Sequence, residues 1–171
     1  MEKKSRFNTR NLTIMALLIA LEIILSRFLS ISAWNIKIGF SFVPVVIAAI
    51  LLGPLQAGLV GAVADFVGAI LFPIGAYFPG FTLTAFLTGA VFGLFLHREQ
   101  TIPRTLAAVG INQFILSLFL NSLWISILYG SPYGPLLATR IVQVLILSAV
   151  QAVCIPLLGK VMGRIGKQVS A

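Results

Sequence analysis

Four long stretches of this sequence contain no Asp, Glu, Lys, Arg or His: 38–64, 66–96, 105–139 and 141–159. A helix needs about 20 mostly apolar residues to cross the hydrocarbon of a bilayer. The chain is 59% hydrophobic and only 9% charged, against about 25% charged in soluble domains, so we predict an all-α integral membrane protein. Gly-Pro and Pro-rich segments mark the predicted ends of the spans. We predict a single membrane domain with six spans, at about 11–30, 39–52, 55–72, 81–96, 105–129 and 136–161.

Basic residues cluster before the first predicted span, between the fourth and fifth, and after the last. The three clusters are Lys3, Lys4, Arg6 and Arg10; Arg98 and Arg104; and Lys160, Arg164 and Lys167. With six spans, all three fall on one side of the membrane, and the positive-inside rule predicts that both termini are cytoplasmic. Although the net charge is +8, the charges lie at span ends rather than on one soluble face, so nucleic acid is not an expected partner.

The sequence lacks the residue patterns of the common catalytic and metal sites. It contains no Gly-x-x-x-x-Gly-Lys-Ser/Thr run, so it is not expected to hydrolyse ATP. Its single histidine, His97, and single cysteine, Cys154, have no cluster of metal-ligating side chains around them in the sequence. We therefore predict a protein that is not an enzyme and that needs neither a metal nor a cofactor.

Four ionisable residues interrupt the apolar spans at membrane depth: Glu22, Arg27, Asp65 and Arg140. Placing a charge there costs at least about 2.5–3.5 kcal/mol on insertion scales, so we expect the functional residues to be among these four. Asp65 could form an ion pair with Arg27 or Arg140, or accept paired N–H groups from an aminopyrimidine edge. Glu22 could pair internally, or couple transport to protons as a small exporter requires.

Polar residues recur at helical spacing on the last two spans. One stripe is Gln113, Ser117, Asn121 and Trp124, and the other is Arg140, Gln143 and Gln151, interrupted by Leu147. Facing each other, the stripes would line a pocket that opens to the outside; alternatively, their amides bond neighbouring helices. Arg27 and Lys37, near the same outer face, could snorkel to headgroups or join Arg140 in a basic rim for a carboxylated ligand.

Two further patterns concern the outer loop and the first span. Tyr77 and Phe78 lie in a loop rich in turn residues; they could belong to an interfacial aromatic belt, or cover a flat ring by stacking. Ala16 and Ala20 stand four residues apart, a spacing that lets another backbone approach one helix face. This face could pack within the bundle or contact a separate membrane subunit.

Several runs together carry a resemblance to a known family. They are Arg27-Phe-Leu-Ser, Lys37-Ile-Gly-Phe-Ser-Phe-Val-Pro, the Gly53-Pro54 turn with Ala57, Gly58, Gly61, Asp65 and Gly68, and Pro73-x-Gly-x-Tyr-Phe-Pro-Gly-Phe-Thr. The chain resembles the substrate-binding S components of energy-coupling factor (ECF) vitamin transporters, and within them the folate family. The resemblance covers nearly the whole chain and implies a prokaryotic, multi-pass cell-membrane protein with six helices.

The resemblance also implies a function and partners. The protein would capture folate from outside with high affinity, and uptake would need a transmembrane coupling subunit, contacted through Ala16 and Ala20, and two cytoplasmic ATPases. The pterin would suit Asp65, Asn121, Gln143 and Trp124, with Tyr77 and Phe78 covering it; Arg27, Lys37 or Arg140 would bind the glutamyl carboxylates. The alternatives are another vitamin, such as riboflavin, thiamine, pantothenate or a queuosine precursor, or a proton-coupled exporter that uses Glu22.

Overall fold

The computed structural model describes residues 9–33 and 36–169, and the side chains of these residues except 31–33, 36, 37 and 163–169. Trp34 therefore lies outside the described residues, as does the side chain of Lys37.

The described chain is a bundle of helices, as the charge-free stretches predict. The helices are α1 (Thr9–Arg27), α2 (Phe42–Leu52), α3 (Pro54–Leu71), α4 (Pro79–Leu96), α5 (Ile102–Gly110), α6 (Asn121–Tyr129) and α7 (Tyr133–Val169). A π-helical segment, Ile111–Leu120, joins α5 to α6, so that Ile102–Tyr129 forms one continuous span. Five spans in the described chain are long and apolar enough to cross a bilayer, and α2 is a shorter apolar helix. The prediction of an all-helical membrane protein is confirmed.

Helix boundaries follow local chemistry. Gly53 alone separates α2 from α3, and its φ of 96° lies in the left-handed region that glycine adopts without strain. Proline begins the next helix at Pro54, and another begins α4 at Pro79, where its missing N–H costs no helical hydrogen bond.

A β-hairpin replaces the short loop expected between the first two spans. Strands β1 (Ser30–Ala33) and β2 (Ile36–Gly39) pair antiparallel, with Ser30 opposite Gly39. A Cβ at position 39 would lie 2.7 Å from the Cβ of Ser30, so the open end of the hairpin requires glycine. The first helix consequently ends at Arg27, three residues before the predicted end of the span.

Small residues bring α3 and α4 into backbone contact, as their four-residue spacing predicts. A Cβ on Gly89 would overlap the carbonyl group of Ala57, and one on Gly61 would lie 2.7 Å from the carbonyl oxygen of Ala85. An apolar core of α1, α2, α3, α4, α5 and α7 side chains packs around the half of the bundle nearer the 97–101 loop; among its fully buried members are Val46, Val60, Phe92, Leu96 and Ile155.

Gly89→Ala is expected to destabilise the protein, because its new methyl group would push α3 and α4 apart. Overpacking typically costs about 1–3 kcal/mol, and a backbone group cannot move aside as a side chain can. The matched control is Gly110→Ala, since a Cβ at that helical position meets nothing within 4 Å. Thermal unfolding in detergent should show a lower midpoint for Gly89→Ala and an unchanged or slightly higher one for Gly110→Ala. Equal midpoints would contradict the proposed tight contact.

Candidate functional site

A cavity of about 530 Å³ lies between the helices in the half of the bundle that holds the 73–78 loop. Side chains from α1, α2, α3, α4, the π-helical segment, α6 and α7 line it, together with the loop itself. Ligand sites for small molecules usually occupy about 300–1,000 Å³. The cavity therefore has the size of a site for one small-molecule ligand.

Both predicted polar stripes line this cavity, except for Trp124 of the first stripe. From the π-helical segment and α6 come Asn112, Gln113, Ser117, Asn121 and Ile125, and from α7 come Arg140, Gln143, Leu147 and Gln151. Arg140 is 4% exposed and Gln143 is 5% exposed, so the guanidinium and the amide are both withdrawn from solvent.

The π-helical segment allows the cavity-lining residues of this span to share one face. At about 100° per residue, a continuous α-helix would spread positions 112, 113, 117, 121 and 125 over an arc of about 220°. Hydrogen bonds from i to i+5 place more residues in each turn, which brings side chains four apart closer to alignment. All five positions consequently line the same cavity.

The opposite wall brings Arg27 and Asp65 together without an ion pair. Nη2 of Arg27 lies 3.5 Å from the main-chain oxygen of Asp65, a long hydrogen bond, while the Asp65 carboxylate accepts a 2.8 Å hydrogen bond from the Thr82 hydroxyl. In the described chain, no salt bridge joins Asp65 to Arg27 or Arg140; the ion pair found there is Glu99 with Arg104. The Asp65 carboxylate thus keeps acceptor capacity toward the cavity.

The outer loop is tied to α4 through Tyr77. Its hydroxyl lies 3.3 Å from Oγ1 of Thr82, and since the Thr82 proton goes to Asp65, the Tyr77 O–H donates to Thr82. The Tyr77 ring packs edge-on against Phe66, with centroids 5.7 Å apart. These contacts hold the loop over the carboxylate and place Tyr77 in the cavity wall.

Trp124 lies behind the cavity lining. Its indole N–H donates a 3.0 Å hydrogen bond to Thr84, and its ring packs against Phe78 with centroids 5.6 Å apart. Phe78 and Thr84 line the cavity, whereas Trp124 is not among the lining residues. A Cβ on Gly80 would lie 2.6 Å from the rings of both Phe78 and Trp124, so glycine there permits this stack.

Most of the predicted ligand residues are thus brought together. Seven line the cavity: Arg27, Asp65, Tyr77, Phe78, Asn121, Arg140 and Gln143. Trp124 stands in the layer behind, and the side chain of Lys37 lies outside the described residues. The predicted partner-contact residues, Ala16 and Ala20, are exposed on α1, away from the cavity.

Several residues that line the cavity were not predicted as ligand contacts. Glu22 was singled out as ionisable, yet it lines this same cavity rather than a separate path. Thr84, Thr88 and Asn112 also line it. The four-residue spacing of the two threonines, facing two polar stripes, was the signal that could have identified them.

Several buried polar atoms on this wall make no hydrogen bond within the described chain: Asn112 Oδ1, Gln113 Oε1, Asn121 Oδ1, Arg140 Nε and Gln151 Oε1. Leaving such a group unsatisfied costs about 1–3 kcal/mol, more when it is charged. Their concentration around one cavity suits a ligand with N–H donors and an anionic group. Among the described residues, no group of three or more His, Cys, Asp or Glu side chains could hold a metal ion.

Known proteins resemble this chain in sequence. Residues 10–159 match the family described as ECF transporter, substrate-specific component. The Folate transporter FolT of Clostridium novyi (strain NT) is 44% identical over 142 residues, which cover 82% of this chain and 83% of that protein. The Folate transporter FolT of Leuconostoc mesenteroides is 31% identical over 153 residues, covering 85% and 82%.

A solved structure, the crystal structure of FolT bound with folic acid, superimposes with a TM-score of 0.85 at 35% identity. The match covers 90% of this chain and 94% of that one, so the whole bundle is shared. With its family match across nearly all spans, the chain belongs to the substrate-specific components of ECF transporters, as its sequence predicted.

Proposed function

We propose that this protein is the folate-binding S component of an ECF-type importer. It captures folate from outside the cell with high affinity and delivers it through an energising module of one transmembrane coupling subunit and two cytoplasmic ATPases. The observation that carries the proposal is that the Asp65 carboxylate, the Asn121 and Gln143 amides and the Arg140 guanidinium all line one cavity of about 530 Å³. The folate transporters that resemble the chain over most of its length support the choice of vitamin.

The pterin of folate matches one part of the cavity. Its adjacent N–H donors suit the Asp65 carboxylate, which the Thr82 hydrogen bond orients, and its remaining edge suits the amides of Asn121 and Gln143. Phe78 lines the cavity with Trp124 packed behind it, so this aromatic pair offers the pterin a stacking surface. Tyr77 completes the cover from the loop.

The glutamyl carboxylates match the cationic part. Arg140 and Arg27 both line the cavity, and an arginine can bind a carboxylate through two parallel hydrogen bonds. Lys37 follows the hairpin turn on β2 and completes the proposed basic rim. We therefore propose that the two ends of folate are recognised by opposite charges.

The coupling subunit is proposed to bind the exposed face of α1. Ala16 and Ala20 are both exposed there, four residues apart, which leaves a shallow strip for another helix. Import through such a subunit accounts for a chain without an ATP-binding loop. The family match supports an importer component over the proton-coupled exporter, whereas the position of Glu22 in the cavity lining suits either function. The protein would reside in a prokaryotic cell membrane, with both termini cytoplasmic.

A folate titration of the purified protein in detergent, followed by tryptophan fluorescence, tests the proposal. Trp124 packs against the cavity-lining Phe78, so bound folate should quench its emission. Saturable binding of folate in the nanomolar range, with none for riboflavin, thiamine or pantothenate, is the expected result. Binding of a control vitamin instead of folate would keep the S-component assignment and overturn the ligand.

Arg140→Ala is expected to weaken folate binding at least about tenfold, because hydrogen bonds to charged groups contribute about 1.5–3 kcal/mol. The matched ligand is 6-methylpterin, which has no carboxylate, and its affinity should stay unchanged. Isothermal titration with both ligands separates the two effects. An equal loss for both ligands would place Arg140 at the pterin or in the fold rather than at the carboxylates.

Asp65→Asn should weaken folate and 6-methylpterin alike, by about tenfold, because an amide N–H₂ would replace one acceptor oxygen facing the pterin donors. Thr82→Val is the control: it removes the hydrogen bonds of Thr82 to Asp65 and Tyr77 but keeps the Asp65 carboxylate, so a loss of a few-fold is expected. The same titrations measure both variants. Unchanged 6-methylpterin affinity in Asp65→Asn would contradict the proposed pterin contact.

Ala20→Trp should abolish folate uptake while leaving folate binding to the isolated protein intact. A large ring on the proposed contact strip would prevent the coupling helix from approaching. Leu21→Trp is the control, since Leu21 is also exposed on α1 but points about 100° away from Ala20. Uptake is measured with labelled folate in cells that contain the energising module. Full uptake by Ala20→Trp would rule out this strip as the interface.

A further inference from the structure

A second cavity lies at the opposite end of the bundle from the ligand cavity. It is a cleft of about 1160 Å³, formed where the N-termini of α1, α3 and α5 meet the C-termini of α2 and α4. In the described chain it shares no lining residue with the ligand cavity. We call it the basic cleft, after the side chains that line it.

The charged side chains that line the basic cleft are positive. Arg10, Arg98, Arg104 and His97 line it, and among the described residues no Asp or Glu belongs to its lining. The nearby Glu99 lies 3.2 Å from Arg104 and neutralises that one guanidinium. Arg10 and Arg98 make no ion pair within the described chain, so they give the cleft a net positive field.

The floor of the basic cleft is the turn between α2 and α3. It contains Gly53 and the first two residues of α3, Pro54 and Leu55, and no side chain caps that helix N-terminus. Because the C-termini of α2 and α4 also meet here, helix-dipole charges of both signs are present, and the net positive field comes from the arginine side chains. His97 is held against this turn by a 3.1 Å hydrogen bond between its Nδ1 and the main-chain oxygen of Ile50.

The rim of the basic cleft is apolar. Leu94 is 68% exposed and Leu55 is 40% exposed, and both line the opening beside the arginines. A free inorganic anion would use the guanidinium groups and leave these side chains uncovered. A phospholipid would use both, because its phosphate meets the cations while its acyl chains cover the leucines.

We propose that the basic cleft binds the phosphate of an anionic phospholipid through Arg10 and Arg98. The cleft lies at the end of the bundle where the basic clusters predict the cytoplasm, which is also the side of a negatively charged leaflet. This site is separate from the vitamin site, so the proposal stands whichever vitamin the protein carries.

Native mass spectrometry of the full-length protein tests this proposal, with phosphatidylglycerol compared against phosphatidylcholine of the same acyl chains. The wild-type protein should retain phosphatidylglycerol in preference. Arg10→Gln or Arg98→Gln should each reduce that preference about fivefold, the change that corresponds to about 1 kcal/mol for one basic residue near an anionic leaflet. Lys160→Gln is the matched control, because Lys160 is an exposed cation outside the cleft lining.

Each other outcome overturns the proposal in a distinct way. An equal loss with Lys160→Gln would mean that net charge, not the basic cleft, attracts the lipid. Displacement of the lipid by millimolar inorganic phosphate would identify a free-anion site. If both arginine variants kept the lipid preference but bound the coupling subunit less well, the cleft would be a protein interface. Folate affinity, measured in parallel, should be unchanged in all three variants, which shows that they remain folded.

Discussion

The backbone contact between α3 and α4 supports both ends of this protein. Gly89 meets Ala57, and Gly93 meets Pro54, at separations that no side chain permits. In a bilayer, apolar burial gives helices little reason to associate, so close packing of small residues takes over that role. On one side of the contact, the pair places Thr82 against Asp65 in the ligand cavity; on the other, it forms part of the basic cleft.

The π-helical segment is the second feature on which the cavity depends. An ordinary α-helix over 111–120 would turn part of the amide stripe toward lipid, where unsatisfied amides are costly. The wider helix instead directs Asn112, Gln113 and Asn121 to one cavity. Several of their oxygens form no hydrogen bond within the described chain, so a ligand with N–H groups would gain from contacts that the protein leaves open.

Ionisable residues at membrane depth proved to be the most informative positions in the sequence. Glu22, Arg27, Asp65 and Arg140 come from three different helices, yet all four line the same cavity. An ionisable group is rare within an apolar span because it is costly there, so the sequence alone marked these four positions. Their pairing was not predictable: whether Asp65 meets a guanidinium or a hydroxyl depends on distances across helices, and here it meets Thr82.

The sequence by itself determined the membrane class, the six apolar helices, the polar stripes and the family, because each follows from composition, from spacing along one helix or from local motifs. Tertiary structure decided the hairpin that positions Lys37, the π-helical register, and the place of Trp124 behind Phe78 rather than in the cavity wall. The place of Trp124 depends on a contact between residues far apart in the chain, whereas the hairpin and the π-helical segment are local departures that regular α-helical spacing does not predict. Helical spacing shows which side chains share a face of one helix, whereas only the packing of the helices decides which of them line the cavity.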